Sequence, residues 1–149
     1  MASIVSLREK IKSLSVDQLA EKAMEESKEA LADFNVEQLS KGQSSKGKNF
    51  KSYRNPEYAE YKNKINPAPG FGNPDLKYTG NFYRGIYVTV SEDKVKIDST
   101  DEKSGKLKKK YGDALIFGLN ENFKSEFIRE SLQPNFSKAV EDATGLKLT

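Results

Sequence analysis

Apolar residues recur at helical spacing in the first quarter of the chain, in a short stripe and then a longer one. The short stripe is Ile4, Leu7, Ile11 and Leu14, and the longer one is Val16, Leu19, Ala20, Ala23, Met24, Ala30, Leu31 and Phe34. Ser15 precedes the longer stripe and Gln18 lies three residues further on, as in a capping box. The pattern predicts an amphipathic helix over residues 16–34, with a helical restart over 35–39.

A polar stretch and a proline-rich stretch frame a second predicted helix. Residues 40–51 are rich in Gly, Ser and Lys, which predicts a mobile loop. Asn55 followed by Pro56 is typical of an N-cap and a first helical position, so a short helix is expected through Tyr58, Tyr61 and Ile65. The prolines and glycines of residues 66–74 end the helical half of the chain.

From residue 79 onward the apolar period changes from helical spacing to alternation. Apolar residues alternate with polar ones at Phe82, Ile86, Val88 and Val90, and again at Val95 and Ile97, on either side of the polar turn 91–94. This alternation predicts a β-hairpin. Residues 98–110 read as a polar connection, 114–119 as a third strand and 123–128 as a fourth. Leu132, Phe136, Ala139, Val140 and Ala143 line a closing helix that Gly145 ends.

These elements predict an α+β fold, in which N- and C-terminal amphipathic helices pack on a small antiparallel sheet of three to four strands, with long loops or arms. Residues 1–72 form the helical segment and residues 73–149 the sheet and last helix, within one domain overall. Only 36% of the 149 residues are hydrophobic, which predicts a small core. Contacts between subunits would add the missing burial.

The composition removes several kinds of chemistry. Without cysteine, the chain has no disulfides, zinc–thiolate sites or thiol nucleophiles, and without histidine it lacks the usual general base. Catalysis would depend on carboxylates, lysines or tyrosines, and a carboxylate-based hydrolase ranks last among the hypotheses. We predict no catalytic residue, cofactor or metal. The charged first twelve residues and the lack of a long apolar run predict neither a signal peptide nor a membrane partner.

Two short motifs resemble ligand sites. Residues 42–49 approach a nucleotide-binding P-loop, but Asn49 stands where Ser or Thr would hold magnesium, and no buried strand precedes the loop. Asp98, Asp101 and Glu102 lie close enough to suggest calcium but lack the spacing and the glycine of an EF-hand loop. A flexible loop and a solvated turn are the favoured interpretations.

The densest positive charge is the run Lys103, Lys106, Lys108, Lys109 and Lys110. Such runs are usually solvated loops, and the functional alternative is a patch that faces DNA or a partner. Tyrosines cluster between residues 53 and 87, where Tyr83, Arg84 and Tyr87 weakly suit nucleic-acid stacking. Half-buried tyrosines at subunit contacts are the commoner explanation. A basic nucleic-acid-binding accessory protein is therefore the alternative function.

An ordered series of motifs in the second half resembles a known family. The series runs Asp75-Leu76-Lys77-Tyr78-Thr79-Gly80, Ile86, Val95-Lys96-Ile97-Asp98-Ser99, Tyr111-Gly112, Ile116-Phe117-Gly118 and Phe127-Ile128-Arg129. It resembles the head–tail connector (neck), virion-morphogenesis and tail-completion proteins of tailed bacteriophages, whose first halves are also amphipathic helices. Three positions depart from the family's usual Asp, Leu and Pro, namely Tyr78, Phe82 and Glu126.

The resemblance implies a structural virion protein without enzymatic activity or cofactor. Its motif positions are Leu76, Thr79, Gly80, Tyr111, Gly112, Phe117, Gly118 and Phe127. Copies of such a chain would form a hexameric or dodecameric ring with DNA passing through the lumen. Its partners would be portal, adaptor or tail proteins, and its place the neck or tail end of the virion after synthesis in the host cytoplasm.

Overall fold

The computed structural model describes residue 9, residues 15–91 and residues 94–147. The first apolar stripe and the turn residues Glu92 and Asp93 lie outside these ranges. The helices are α1 (Val16–Ser40), α2 (Pro56–Ile65), α3 (Asn81–Arg84), α4 (Ser104–Tyr111), α5 (Asp113–Ile116), α6 (Glu121–Phe127) and α7 (Gln133–Thr144), and a π-helical turn (Ile128–Leu132) joins the last two. The strands are β1 (Ile86–Ser91) and β2 (Lys94–Ser99).

Helix α1 begins where the sequence predicts and continues past the predicted end. The Ser15 side chain accepts a hydrogen bond from the backbone N–H of Gln18, which confirms the N-cap. The helix then runs to Ser40 without a break at residue 34. Its inner face includes the buried amides Asn35 and Gln38, and both bond to the chain around residues 116–120. Polar residues therefore extend this helix because their side chains have partners elsewhere.

The predicted hairpin is confirmed, although it begins later than expected. Strands β1 and β2 pair antiparallel, with Ile86 opposite Ser99 and Val90 opposite Val95. Phe82, expected in the hairpin, instead lies in the single-turn helix α3. Gly85 joins the two elements at a close approach, since a Cβ there would lie 2.7 Å from the Ser99 Oγ. A larger residue at position 85 would push the end of β2 away.

The prediction of three to four strands is not confirmed, because the described residues form a sheet of two strands. The third and fourth strand predictions are wrong: residues 113–116 and 121–127 are helical. Around residue 118, the Asn35 and Gln38 side chains bond the backbone as a neighbouring strand would. Asn120 caps α6 by accepting a hydrogen bond from the backbone N–H of Phe123, which starts a helix in the second segment.

Two segments predicted from polar composition are more structured than expected. The prediction of a polar connection over residues 98–110 is wrong for its second half, because Ser104–Tyr111 is a helix. Leu107 and Tyr111 of this helix pack on the core. Lysine is a good helix former, so a lysine run supports this helix. Residues 40–51 do not form an extended arm. Gln43 and Asn49 form an isolated antiparallel β-bridge, and Phe50 is buried in the core.

The core joins residues from both halves of the sequence. One cluster contains Leu39, Phe50, Leu76, Phe82, Ile86, Ile116 and Phe117, and a second contains Leu31, Val88 and Phe127. Helix α1 packs against β1, α6 and α7, so it is the central element of the fold. Helix α7 ends at Gly145 in the left-handed conformation, as predicted, and packs mainly against α1.

Candidate functional site: a basic cleft lined by tyrosines

A cleft of about 830 Å³ opens where residues 51–58, residues 74–82 and residues 101–111 meet. We call it the tyrosine cleft. Its lining combines the end of the first loop, the turn before α3 and one face of α4. These segments are far apart in the sequence, so the cleft exists only in the folded chain.

The cleft is strongly basic although the whole chain is only mildly so. Its basic lining residues are Lys51, Arg54, Lys77, Lys103 and Lys110, and Asp101 is its acidic one. The net charge of the chain is +3. Positive charge is therefore concentrated here, where it would attract an anionic ligand.

Tyrosine rings form much of the apolar wall. The lining includes Tyr53, Tyr58, Tyr78 and Tyr111. Tyr53 and Tyr58 meet edge to face with centroids 5.0 Å apart, and Tyr111 meets the buried Phe50 at 5.3 Å. Tyr78 differs, because 77% of its surface is exposed and the Lys103 Nζ lies 4.6 Å from its ring centroid. The cleft thus has a fixed wall and one exposed ring.

A buried ion pair lies beside the cleft, between two residues that do not line it. The Lys62 Nζ lies 2.8 Å from the Asp75 Oδ1, and the two side chains are 10% and 2% exposed. The Asn66 side-chain amide donates to the Asp75 Oδ2 at 3.0 Å, and the backbone N–H of Lys77 donates to the Oδ1 at 3.0 Å. Asp75 therefore ties helix α2 to the chain that enters the cleft.

The chain turns sharply just after this ion pair. Leu76 is buried with a φ of 59°, a left-handed conformation that is uncommon for a branched residue. The Tyr83 hydroxyl donates a hydrogen bond to the Asp75 carbonyl on one side of the turn. Burial and the Asp75 charge raise the pKa of Tyr83 and of Tyr53 well above the ordinary tyrosine value, so both rings stay neutral.

The lysine run begins at Lys103, just before α4, and only part of it lines the cleft. Lys103 and Lys110 line the cleft, whereas Lys106 and Lys109 are exposed outside it. Lys108 pairs with the Asp98 Oδ1 at 2.9 Å, and this hydrogen bond lowers the pKa of Asp98 and raises that of Lys108. Because α4 is a helix, its 3.6-residue period separates lysines that are neighbours in sequence.

The stacking set proposed from the sequence is not assembled. The Tyr83 hydroxyl points inward to the Asp75 carbonyl, while the exposed Arg84 bonds to the Asn81 side chain. Tyr87 lies on the outer face of the hairpin, 43% exposed. These three side chains therefore do not form one stacking surface.

The two ligand motifs also take ordinary structural roles. Residues 42–49 follow helix α1 rather than a strand, and Ser44 pairs with Lys48 through its backbone N–H, so the segment forms a small turn. Asp98 pairs with Lys108 rather than with further carboxylates. Within the described ranges, no group of three acidic residues is placed to hold a metal ion.

The family-motif positions lie at chain reversals and core contacts. Gly80, Gly112 and Gly118 have positive φ, and the last two flank α5. The Thr79 Oγ1 accepts a hydrogen bond from the backbone N–H of Asn81 at the start of α3. The remaining four positions pack into the core or against it: Leu76, Tyr111, Phe117 and Phe127.

Comparisons of the chain with protein families, with curated proteins and with solved structures found no match. Among the helices that the structure describes, none has the length and apolar character needed to cross a membrane. The cleft itself was not predicted from the sequence. Its signals were the clustered tyrosines and the lysine run, but only the fold brings Tyr53 and Tyr78 to the same side as Lys103.

Proposed function

We propose that the protein is a structural subunit of a tailed-phage virion, at the neck or tail end, which assembles with copies of itself into a ring around the DNA channel. The motif series supports the class of protein. The positions of those motifs at turns and core contacts support a role in shaping the fold rather than in chemistry.

The proposed assembly into a ring rests on one observation, which is that the hairpin forms a sheet with two open edges. Each strand of the two-stranded sheet has an edge without a strand partner among the described residues. Such edges pair readily with another chain. Val95 projects from the same face as the buried Ile86 and Val88 but is 44% exposed. A neighbouring copy that adds a strand here would complete the sheet and cover Val95.

The ring also gives the outward lysines a role. Lys106 and Lys109 are exposed on α4 outside the cleft. In a ring these charges are repeated in every subunit, so a modest patch would present many positive charges to DNA in the lumen. Portal, adaptor or tail proteins would contact the two faces of the ring.

Light scattering of the purified protein at increasing concentration tests this function. We expect a mass that is a multiple of the 16.7 kDa chain. Val95→Lys places a charge at the proposed contact, and this variant should lose the larger species while remaining folded, because Val95 is partly exposed in the isolated chain.

Thr89→Lys is the matched control, since it introduces the same side chain on the opposite face of the same hairpin. It should assemble like the wild type. A wild-type protein that keeps the mass of one chain at every concentration would contradict the proposal, as would equal loss of assembly in both variants.

A further inference from the structure

We propose that the tyrosine cleft binds a single-stranded nucleic acid, with basic side chains contacting phosphates and tyrosine rings stacking on bases. This goes beyond the proposed structural role and uses different residues from the hairpin contact. It also differs from the stacking set suggested by the sequence, because neither Arg84 nor Tyr87 lines the cleft.

The charge of the cleft favours a ligand with a repeated negative charge. Five basic side chains surround it, and Asp101 is the acidic residue in the lining. The Asp101 Oδ2 is buried without a hydrogen-bond partner among the described residues. A single phosphate would leave most of these cations without a partner, whereas a phosphodiester backbone offers one anionic group per nucleotide.

The exposed ring of Tyr78 favours a ligand that also carries flat aromatic groups. Lys103 covers one face of this ring, with its Nζ 4.6 Å from the centroid. Since 77% of Tyr78 is exposed, the opposite face is open to a base. Stacking of a base on a tyrosine is tolerant of sequence and contributes much of the affinity in single-strand binding proteins.

The geometry favours a single strand over a duplex or an acidic peptide. Bases in a duplex are stacked on each other, so their faces cannot reach Tyr78. An acidic peptide would match the charge and leave the tyrosine faces without a flat partner. The volume of about 830 Å³ lies within the range of ligand pockets, and the rest of a strand would leave through the open side.

Fluorescence anisotropy with labelled oligothymidine tests the charge contacts. The double variant Lys103→Ala/Lys110→Ala removes two cleft cations, whereas Lys22→Ala/Lys138→Ala removes two exposed cations that do not line the cleft. The two variants have equal net charge. We expect the cleft variant to bind at least about tenfold more weakly, and its slope of log K against log salt to fall by roughly 1.4, at about 0.7 per lost phosphate contact. The control should change far less.

Variants of the exposed ring test stacking separately. Tyr78→Ala should weaken binding roughly tenfold, and Tyr78→Phe should retain it because the ring is kept. Tyr87→Ala, which removes a partly exposed tyrosine from the hairpin, should bind like the wild type. Circular dichroism would verify that each variant is folded.

Three results would overturn the proposal. They are no binding of oligothymidine at low salt, equal weakening by the cleft and control lysine variants, and binding that Tyr78→Ala leaves unchanged.

Heparin, a polyanion without bases, should bind with no sensitivity to Tyr78→Ala, and duplex DNA should bind more weakly than the single strand. Binding by a protein that stays monomeric would support the cleft and contradict only the ring.

Discussion

The helix-and-hairpin side of the molecule is held by apolar contacts, whereas the cleft side combines apolar contacts with a buried ion pair. On the first side Leu31, Val88 and Phe127 meet in a small apolar cluster. On the second, Asp75 is 2% exposed and binds the Lys62 ammonium group. An apolar contact tolerates small shifts, but a buried charge needs each of its partners in place. The cleft should therefore be the more sensitive side to single polar substitutions.

The largest effect is expected from Asp75→Ala. This change leaves the Lys62 ammonium group buried without its anionic partner, with the Lys77 carbonyl as its remaining acceptor, and removes acceptors from Asn66 and Lys77. It should lower the free energy of unfolding by about 3–5 kcal/mol, measured by urea denaturation. Glu37→Ala breaks the exposed Lys41 pair and should cost less than about 1 kcal/mol. Similar losses in both variants would mean that the buried pair does not hold the cleft side.

A smaller effect is expected from Asn35→Leu, which changes the junction between the two sides. The Asn35 amide bonds the Ile116 carbonyl and the Gly118 N–H, and both backbone groups would lose their partner. The free energy of unfolding should fall by about 2–4 kcal/mol, because an unpaired buried polar group costs about 1–3 kcal/mol.

Asp33→Leu is the matched control for this substitution. Asp33 is exposed on the same helix, so its replacement should change stability by less than about 0.5 kcal/mol. If Asn35→Leu proves as stable as this control, the hydrogen bonds of the Asn35 side chain do not position residues 116–120.

The smallest effect concerns alkaline pH and is confined to the cleft side. The pKa of Tyr83 is raised from 10.0 by burial and by Asp75. The folded state therefore holds its proton more tightly than the unfolded state, so stability is complete below pH 10 and falls as pH rises above it. Each such group contributes at most about 1.4 kcal/mol per pH unit.

Urea denaturation at several alkaline pH values would measure this dependence. The free energy of unfolding of Tyr83→Phe should fall less steeply with rising pH than that of the wild type. Tyr53, whose pKa is also raised, should account for part of the fall that remains. Tyr87→Phe, which changes a partly exposed hairpin residue, should follow the wild-type curve. If the Tyr83→Phe curve coincides with the wild-type curve, folding does not raise the pKa of Tyr83, and the prediction is wrong.

Elements with a clear period could be predicted from the sequence. Helix α1, its Ser15 cap, helix α2 and the hairpin all follow patterns of apolar spacing or capping chemistry. The prediction of a fourth strand over residues 123–128 failed because two signals were missed. One was the cap at Asn120, and the other was the four-residue spacing of Phe123 and Phe127, which both meet Phe34 on α1.

The cleft could not be predicted in the same way, because its parts carry no local pattern. The distance from Lys62 to Asp75 is set by the whole loop between them, and nothing in composition marks that pair as buried. Likewise, Lys108 and Lys110 look alike in the sequence, yet one pairs with Asp98 and the other lines the cleft. Side chains that are neighbours in sequence take different roles because helical geometry directs them to different faces.

Detection of the chain in purified virions tests the central claim most directly. The structural proposal predicts that mass spectrometry finds the chain in particles, at a constant ratio to the portal protein that a ring of identical subunits would fix. Particles that lack the chain, although infected cells contain it, would contradict the account.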